Sequence, residues 1–312
     1  MEKQNRQDKM KVGYVALIGR PNVGKSTLIN KILGQKVAIV SSKPQTTRNS
    51  ILGIKTTEKG QIIFVDNPGI HRPLHRLNKR MMSFVYSALE TSDLINLLID
   101  STQKFGHGDQ FVIETLKDIS TPKFLLINKV DIVKKEKILL LIDRYKNLLD
   151  FKEIIPISAL KGTQLDILEK LIYEHLPEAE KIFSNDEISV QSQRFLLSEI
   201  IREKVLRHVE QELPFVTAVH IDDIEDTNNS SPGKQETEKK QRHYIKATIF
   251  VERESHRRIV IGKQGTLIKA IGTQARLELE HILGTRVYLD LWVKVKEKWR
   301  DSPNVLDLIE GQ

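Results

Sequence analysis

The sequence has 312 residues, 39% of them hydrophobic and 29% charged, which predicts a soluble globular chain of about two domains. It contains no cysteine, and this excludes disulfides, thiolate zinc sites, iron–sulfur clusters and a cysteine nucleophile. The formal net charge is +8, and residues 245–300 supply most of it with 12 Lys or Arg against 6 Asp or Glu, so we expect a polyanionic partner for the C-terminal part.

The N-terminal residues, MEKQNRQDKMK, lack the apolar segment of a secretory signal, and they carry Glu2 and Asp8, which do not fit a transit peptide. No apolar run in the sequence approaches the roughly 20 residues that are needed to cross a bilayer. We therefore expect a cytoplasmic location.

Short apolar runs alternate with longer amphipathic ones in the first part of the chain, which predicts an α/β domain with a mostly parallel sheet and helices on both faces. We assign this domain to residues 11–180. The predicted strands are Val12–Ile18, Gln61–Val65, Leu94–Ile99, Lys123–Ile127 and Ile154–Ile157, and the predicted helices are Thr27–Leu33, Leu74–Leu89, Gln110–Ile119, Lys135–Leu149 and Leu165–His175.

The pattern changes after residue 180, where we predict a linker and a connecting helix over 181–212, a smaller α+β domain over 213–300 and a tail over 301–312. The stretch Asp223–His243 has almost no apolar residue and predicts a long flexible hairpin loop. The predicted elements are a long amphipathic helix Ser192–Glu212, strand Phe215–Asp222, strand Tyr244–Glu252, helices Ser255–Ile261 and Thr266–Leu283, and strand Arg286–Val295.

The sequence GRPNVGKS after the first predicted strand matches the phosphate-binding loop pattern G-x-x-x-x-G-K-[ST]. In this motif, backbone N–H groups hold phosphates at the N-terminus of a helix. We predict that Lys25 reaches the β- and γ-phosphates and that Ser26 binds Mg²⁺. The predicted nucleotide-binding residues of this loop are Gly19, Arg20, Pro21, Asn22, Val23, Gly24, Lys25 and Ser26.

The sequence NKVD lies at the carboxyl end of the predicted strand Lys123–Ile127, and open α/β sheets bind their ligands at that edge. A carboxylate at Asp131 can accept hydrogen bonds from guanine N1–H and the 2-amino group, whereas adenine presents an acceptor there. Such pairing can discriminate by roughly 10⁴–10⁵-fold. The motif therefore predicts a guanine nucleotide, bound by Asn128, Lys129, Val130 and Asp131.

Two more segments follow predicted strands. Asp66 begins the sequence DNPG, where its carboxylate can hold Mg²⁺ through water and the Gly69 N–H can meet the γ-phosphate. Ser158 and Ala159 follow the last strand of the first domain, where the Ala159 N–H can bond guanine O6. A third segment, QTTR, lies after the first helix and offers a threonine hydroxyl to the magnesium ion, and the residues alone leave Thr46 and Thr47 as alternatives.

Along the chain, the five segments follow one another as GRPNVGKS, QTTR, DNPG, NKVD and Ser158-Ala159, and in that order they resemble the translation-factor-like branch of small GTPases. The strings GRPNVGKSTLIN, KPQTTR and NKVD are similar to those of the Era family. The resemblance implies hydrolysis of GTP to GDP. It favours Thr47, so that the implied magnesium ligands are Ser26, Thr47 and Asp66. The family's D-T-P-G is D-N-P-G here, and the implied contacts continue through Asn67, Pro68, Gly69 and Ile70; the implied catalytic residues are Lys25, Thr47, Gly69 and Asn22.

Two positions bear on the rate of hydrolysis. Ras-like enzymes have a water-orienting glutamine directly after D-x-x-G, and this chain has Ile70, which cannot hydrogen-bond to water, so we expect slow intrinsic hydrolysis. His71 is a candidate substitute, and a plain exposed histidine is the alternative. Asn22 resembles the asparagine of potassium-dependent GTPases, which helps to hold K⁺, and a plain loop residue is the alternative.

A G-x-x-G sequence joins the two predicted helices of the second domain, with a predicted strand on each side. This order is similar to a type II KH domain, which clamps about four single-stranded nucleotides. A helix hairpin in which the glycines only relieve packing is the alternative. The resemblance implies an apolar wall from residues such as Ile259, Ile261 and Leu267, and RNA contacts at Ile261, Gly262, Lys263, Gln264 and Gly265.

The last predicted strand alternates apolar residues with polar and aromatic ones, so one of its faces belongs to the core. Trp292 lies in the other set, where its ring can stack a base. We predict instead that it packs on the sheet face against the preceding helix.

A KH domain after this GTPase domain is the Era architecture, and the resemblance covers nearly the whole chain. It implies binding to small-subunit ribosomal RNA near its 3′ end, assistance to assembly of the 30S subunit, peripheral contact with the inner membrane and a monomeric state. The alternative function is a membrane-recruited GTPase switch whose basic domain binds anionic lipid or a protein partner.

Overall fold

The computed structural model of the protein describes residues 10–226 and 242–310. They form two compact units, and the second takes over from the first at residue 191 and also includes residues 75–77. Within the described residues, no helix is both long enough and apolar enough to cross a membrane.

The chain up to residue 190 alternates strands and helices as predicted. Its elements are β1 Met10–Ile18, α1 Lys25–Leu33, β2 Ile51–Thr57, β3 Gly60–Asp66, α2 Arg76–Thr91, β4 Leu94–Asp100, α3 His107–Leu116, β5 Lys123–Asn128, α4 Lys135–Tyr145, β6 Phe151–Pro156, α5 Leu165–His175 and β7 Glu178–Ala179.

These strands form one sheet in the order β2-β3-β1-β4-β5-β6, with β7 paired to β1. The pairings from β3 to β6 are parallel, whereas β2 is antiparallel to β3. Consecutive residues of β1 from Val15 to Ile18 are buried, which requires cover on both faces of the sheet. Ala16 and Ile18 belong to the core that includes Val85 of α2 and Leu141 of α4. The predicted mostly parallel α/β fold is therefore confirmed.

The segment after α5 returns to the first unit and pairs with its strands. Gln61, a fully buried side chain of β3, accepts hydrogen bonds from the backbone N–H groups of Ile182 and Phe183 at 3.0 and 2.9 Å. Further along, the Ile54 N–H of β2 donates to the Ile188 carbonyl at 2.8 Å. The segment satisfies a buried amide and an edge strand, so the first unit extends to residue 190 rather than to 180 as predicted.

The second unit contains the strands and helices of the predicted KH domain. Its sheet has the order β10-β9-β8, with β9 parallel to β10 and antiparallel to β8. The chain order of its main elements, helix, strand, strand, helix, helix and strand, is the predicted type II order. The elements are α6 Gln193–His208, α7 Leu213–Val216, β8 Ala218–Asp226, β9 Arg242–Val251, α8 Glu254–Ile261, α9 Thr266–Leu283, β10 Arg286–Val295 and α10 Pro303–Glu310.

Predicted boundaries of the second unit differ from the structure at several points, and the first helix ends at His208 rather than at Glu212. The first strand does not begin at Phe215, because a short helix with a proline near its start occupies residues 213–216. The predicted loop over 223–243 is strand at both ends, and its middle lies outside the described residues. The predicted tail contains the helix α10.

Helix α6 is not amphipathic as predicted, because its residues 200–206 are all buried, three charged ones among them. The charges are paired instead of exposed. The Lys204 ammonium lies 3.2 Å from the Glu203 carboxylate and also contacts Glu278 of α9, and Arg207 contacts Glu203. Ion pairs thus allow charged residues to occupy the buried faces of this helix.

This network predicts the effect of removing Glu203. Glu203→Ala leaves the buried Lys204 with one carboxylate, and the loss of one partner from a buried pair costs about 3–5 kcal/mol. We expect the free energy of unfolding of the second unit to fall by about that amount in urea denaturation. Both tryptophans, Trp292 and Trp299, lie in this unit, so their fluorescence follows its unfolding.

The matched control is Glu210→Ala, which removes an exposed glutamate just beyond the same helix and should change stability by less than about 0.5 kcal/mol. Equal stability of Glu203→Ala and the parent would show that the buried pairs contribute nothing.

Candidate nucleotide site and nucleic-acid groove

The predicted phosphate-binding loop connects β1 to the N-terminus of α1, where Lys25 is the first helical residue. Gly24 has φ 104°, and a Cβ there would lie 2.3 Å from Nδ2 of Asn128. Only glycine fits this position, because a side chain would meet both an unfavourable backbone conformation and the asparagine amide. The loop and the N-K-x-D segment are therefore in direct contact.

Lys25 is buried at the floor of this loop. Its ammonium donates to the carbonyls of Gly19 and Arg20 at 3.3 and 3.1 Å. Burial lowers the pKa of Lys25 to about 8, and the nearby carboxylate of Asp66 partly opposes that shift. The side chain is thus held where the phosphates of a nucleotide on this loop would lie.

Oxygen atoms from three separate segments meet beside Lys25. The Ser26 hydroxyl donates to Oδ2 of Asp66 at 2.7 Å and lies 2.9 Å from the Thr47 hydroxyl. The second carboxylate oxygen, Oδ1, is buried and has no hydrogen-bond partner among the described residues. Burial raises the pKa of Asp66 to about 6, against the lowering effect of Lys25, Ser26 and Thr47. A buried carboxylate with an open oxygen beside two hydroxyls fits Mg²⁺, which prefers oxygen ligands.

The structure also separates the two candidate threonines. Thr47 faces Ser26, whereas the Thr46 hydroxyl donates to the backbone carbonyl of Lys43 at 2.6 Å. The geometry therefore places Thr47 with the implied magnesium ligands.

The D-x-x-G segment packs closely on the phosphate-binding loop. A Cβ at Gly69 would lie 2.5 Å from the backbone nitrogen of Pro21, and the Ile70 N–H donates to the Gly19 carbonyl at 3.0 Å. Asn67 is fully buried and donates to the Val65 carbonyl at 3.0 Å, so its side chain faces the interior. Asn67, which replaces the family's threonine, is therefore packed inside the protein at the end of β3.

Neither residue after this segment is placed to orient water. Ile70 is 2% exposed. His71 has both ring nitrogens in hydrogen bonds: Nδ1 is 2.7 Å from the Gly69 carbonyl and Nε2 is 2.6 Å from the Asn78 amide. The carbonyl must accept, so Nδ1 carries the proton and Nε2 accepts from Asn78.

The N-K-x-D segment holds neighbouring loops together. Asn128 donates to the Val23 carbonyl at 2.8 Å and accepts from the Ala159 N–H at 2.9 Å. Lys129 donates to the Asn22 carbonyl at 3.0 Å and to Asp100 at 2.6 Å. The side chains of Asn128 and Lys129 thus hold the phosphate-binding loop in place. The Ala159 N–H was predicted to bond guanine O6, but in this structure it donates to Asn128.

Asp131 is exposed, and one of its oxygens, Oδ1, accepts from the buried Ser158 hydroxyl at 2.7 Å. Ser158 therefore orients the carboxylate. Val130 continues the segment with its N–H donating to the Ile157 carbonyl at 3.3 Å.

The side chain of Arg20 points away from this site. Its guanidinium donates to Asp109 of α3 at 2.9 Å, in an ion pair between the loop and the helix. The predicted nucleotide contact of Arg20 is therefore limited to its backbone in this arrangement.

A cavity of about 410 Å³ opens beside these residues. Predicted residues that line it include Pro21, Asn22, Gly24, Lys25, Ser26, Thr47, Gly69 and Lys129. Burial would raise the pKa of Asp100, but hydrogen bonds from Lys129 and Thr102 hold it below its usual value. The lining residues without a predicted role are Thr27, Ile39, Val40, Ser41, Ser42, Gln45, Asp100 and Gln103. Asp100 could have been found from the sequence, because it lies at the carboxyl end of a predicted strand.

The G-x-x-G loop joins α8 to α9 through residues with positive φ: Gly262 at 75°, Gln264 at 53° and Gly265 at 76°. Lys263 and Gln264 are exposed at its tip, and Ile261 before it packs against the core of the unit. A phosphate can therefore approach the loop backbone and the Lys263 ammonium together.

A groove of about 310 Å³ runs between α9 and the edge strand β10. The predicted apolar wall of Ile259, Ile261 and Leu267 does not line it, and Ile259 is exposed. The floor of the groove could have been predicted from the sequence, because Leu289 and Leu291 alternate with polar and aromatic residues along the strand. The groove is lined by Ile268, Lys269, Gly272, Thr273, Arg276, Leu289 and Leu291.

Trp292 is 59% exposed, so the prediction that it packs against the preceding helix is wrong. Strand alternation turns the core-facing residues of β10 toward α9 and places Trp292 on the opposite face.

Two family models match the chain. The model described as 50S ribosome-binding GTPase matches residues 14–129, and the model described as KH domain matches residues 232–300. The predicted pairing of a GTPase domain with a KH domain is confirmed.

Two solved structures are similar to nearly the whole chain. A structure of Era in complex with MgGDPNP and nucleotides 1506–1542 of 16S ribosomal RNA is 42% identical, with a TM-score of 0.89 over 96% of this chain and 98% of that chain. The structure of a point variant of Aquifex aeolicus Era bound to GDP·AlF₄⁻ is also 42% identical, with a TM-score of 0.88 over 96% of this chain and 99% of that chain.

The position of Asp131 predicts an exchange of base specificity. In Asp131→Asn an amide can donate to the carbonyl that xanthine presents in place of the guanine amine, so we expect preference for XTP over GTP. Competition binding with the two nucleotides measures this. The assignment of Asp131 is wrong if the variant keeps the parent's preference, and Asp143→Asn, an exposed change on α4, is the control that should keep it.

Proposed function

The chain belongs to the Era family of GTPases, and from this premise we propose that it couples a GTP cycle to binding of small-subunit ribosomal RNA near its 3′ end during assembly of the 30S subunit. The observation that carries the proposal is the similarity, over nearly the whole chain, to an Era structure that contains a GTP analogue and a 16S ribosomal RNA segment. The nucleotide cavity and the KH groove supply the two binding sites that such coupling requires.

The first unit hydrolyses GTP, and its residues have separable roles. Lys25 places a positive charge at the phosphates, and the N–H groups around Gly24 and Gly69 offer donors to the oxygens on which charge develops. Ser26, Thr47 and Asp66 would hold Mg²⁺, which would neutralise part of the negative charge of the phosphates. With Ile70 in the water-orienting position, intrinsic hydrolysis is slow.

The second unit binds single-stranded RNA. Phosphates approach the loop at Lys263, and bases enter the groove whose floor is Leu289 and Leu291 and whose rim carries Lys269 and Arg276. Lys269 and Arg276 line this groove and Lys263 lies on the adjoining loop, whereas α10, an amphipathic helix at the end of the described chain, carries Asp307 and Glu310 and no Lys or Arg. This distribution favours RNA over an anionic membrane as the principal ligand of the unit.

The proposal also covers partners and place. The family resemblance supports a monomer that acts in the cytoplasm on the assembling 30S subunit, with peripheral contact at the cytoplasmic face of the inner membrane.

The proposal includes a potassium requirement at Asn22. The Asn22 amide lies at the cavity and donates to the Ser42 carbonyl at 2.7 Å, so amide and carbonyl groups of two loops meet there. Potassium bound between such oxygens would add positive charge near the phosphates. We expect faster hydrolysis in KCl than in NaCl at equal ionic strength, and Asn22→Ala should remove the difference.

Steady-state phosphate release measures the two rates, and GTP affinity measured in parallel is the control that should stay unchanged. Equal rates of the parent in both salts would refute the potassium requirement without touching GTP binding.

A second prediction separates the two units. Replacing Lys263 and Gln264 by aspartate places negative charge where a phosphate approaches the loop, so RNA affinity should fall at least about tenfold with a shallower salt dependence. GTP affinity and RNA-free hydrolysis should be unchanged, because their residues lie in the other unit. Filter binding with fragments from the 3′ region of 16S ribosomal RNA measures the loss.

Lys117→Asp with Gln110→Asp is the matched control, because it makes the same change in net charge at exposed positions of the first unit. RNA binding by the folded loop variant at the parent's affinity would contradict RNA binding at the groove.

A further inference from the structure

The edge strand β10 carries large aromatic side chains on the face opposite the groove. Leu289 and Leu291 line the groove, and Tyr288 and Trp292 alternate with them and are 62% and 59% exposed. Exposed aromatic rings at such positions cost hydrophobic free energy unless a partner covers them. The groove gives a role to the Leu289 and Leu291 face of the strand, but it gives none to Tyr288 and Trp292 on the other face.

Tyr288 forms the outer end of an aromatic stack. Its ring lies parallel to that of Tyr244 on β9, with centroids 4.9 Å apart and an interplanar angle of 7°. β10 is the edge strand of the described sheet, so the ring face of Tyr288 that is turned away from Tyr244 looks past the sheet edge. That open face can accept one more flat ring.

Trp292 is held in a fixed orientation on the same face. Its indole N–H donates to Asp290 at 3.0 Å, which engages that carboxylate and sets the plane of the ring. Tyr288 and Trp292 are four residues apart, or about 13 Å along the strand, so two bases of one nucleic-acid strand can reach both rings without crowding.

Basic side chains flank the aromatic rings on this face. The outward residues at the two ends of β10, Arg286 and Lys294, are exposed and basic. The Lys246 ammonium lies 5.1 Å from the centre of the Tyr244 ring and 3.7 Å from the Glu225 carboxylate, so a cation that is paired with a carboxylate adjoins the stack as well. Aromatic rings interleaved with basic side chains are the composition with which proteins bind single-stranded nucleic acid.

We propose that single-stranded RNA leaving the groove crosses the edge of β10 and stacks bases on Tyr288 and Trp292. The inference rests on the proposed RNA binding at the groove. A KH groove holds about four nucleotides, so a longer RNA must continue beyond it. Since one strand supplies the groove floor and the aromatic face, the path between them is only one strand wide.

The test compares two RNA lengths from the 3′ region of 16S ribosomal RNA: a fragment of about five nucleotides that the groove alone can hold, and one of about twelve that contains it. Tyr288→Ala and Trp292→Ala should each weaken binding of the longer RNA about tenfold, because stacking on the ring is lost. Binding of the shorter RNA should be unchanged. Tyr288→Phe keeps the ring and should bind both as the parent does.

Tryptophan fluorescence gives an independent readout. Trp299 is buried, so a change in emission on RNA binding reports on Trp292. The longer RNA should quench the emission and the shorter should not. Leu277→Ala, which removes an exposed apolar side chain from α9, is the control and should leave both affinities and the quenching intact.

Each outcome decides the proposal. Undiminished binding of the longer RNA by both alanine variants overturns it, as does an equal loss for the two lengths, which would indicate damage to the groove. The Lys263 and Gln264 double variant distinguishes the two levels of inference: if it still binds the shorter RNA, RNA binding at the groove itself is wrong, whatever the aromatic variants do.

Discussion

The nucleotide site depends on the parallel alignment of β3, β1, β4 and β5. Their carboxyl ends meet at one edge of the sheet, which brings together loops that are far apart in sequence. Asn128 then fixes these loops to one another, because its amide bonds both Val23 and Ala159. Gly24 allows that contact by having no side chain. Lys129 adds a second link to the phosphate-binding loop, so one short segment sets the geometry of the whole site.

The same geometry brings two buried charges close together. Burial lowers the pKa of Lys25 to about 8 and raises that of Asp66 to about 6, so each charged form is disfavoured and each partly stabilises the other. The folded-state pKa of Asp66 lies above its ordinary value, so its contribution to stability is present at low pH and is lost as the pH rises through about 6. A phosphate beside Lys25 and a divalent cation beside Asp66 would offset these costs.

In the second unit, the proposed function depends on the edge strand β10, as the nucleotide site of the first unit depends on its parallel sheet. One side of the strand supplies Leu289 and Leu291 to the groove, and the other presents Tyr288 and Trp292. An edge position makes both faces reachable by one extended ligand, and α9 covers only one of them. The ion pair between Lys204 of α6 and Glu278 of α9 links α6 to the helix that forms the opposite wall of the groove.

The sequence by itself determined the features that are contiguous. The phosphate-binding loop, N-K-x-D and G-x-x-G are short strings, and the periodicity around them predicted most strands and helices of both units because burial imposes that period locally. It missed β2, whose residues Ile51–Thr57 are only partly buried, and it missed the pairing of 181–190 with the first unit. Both segments form because they pair with strands of the first unit, and local periodicity does not show such pairing.

Only the tertiary structure decided what depends on groups distant in sequence. The contact between the Thr47 and Ser26 hydroxyls distinguishes Thr47 from Thr46 as the candidate magnesium ligand. The hydrogen bond from Asn67 to the Val65 carbonyl holds the Asn67 side chain in the interior. Lys204 of α6 is buried where Glu278 of α9 lies opposite it. Alternation placed Trp292 on the outer face, but only the tertiary structure determined that no helix of the described residues buries it there. Hydrogen bonding and burial are satisfied by whichever groups the fold brings near.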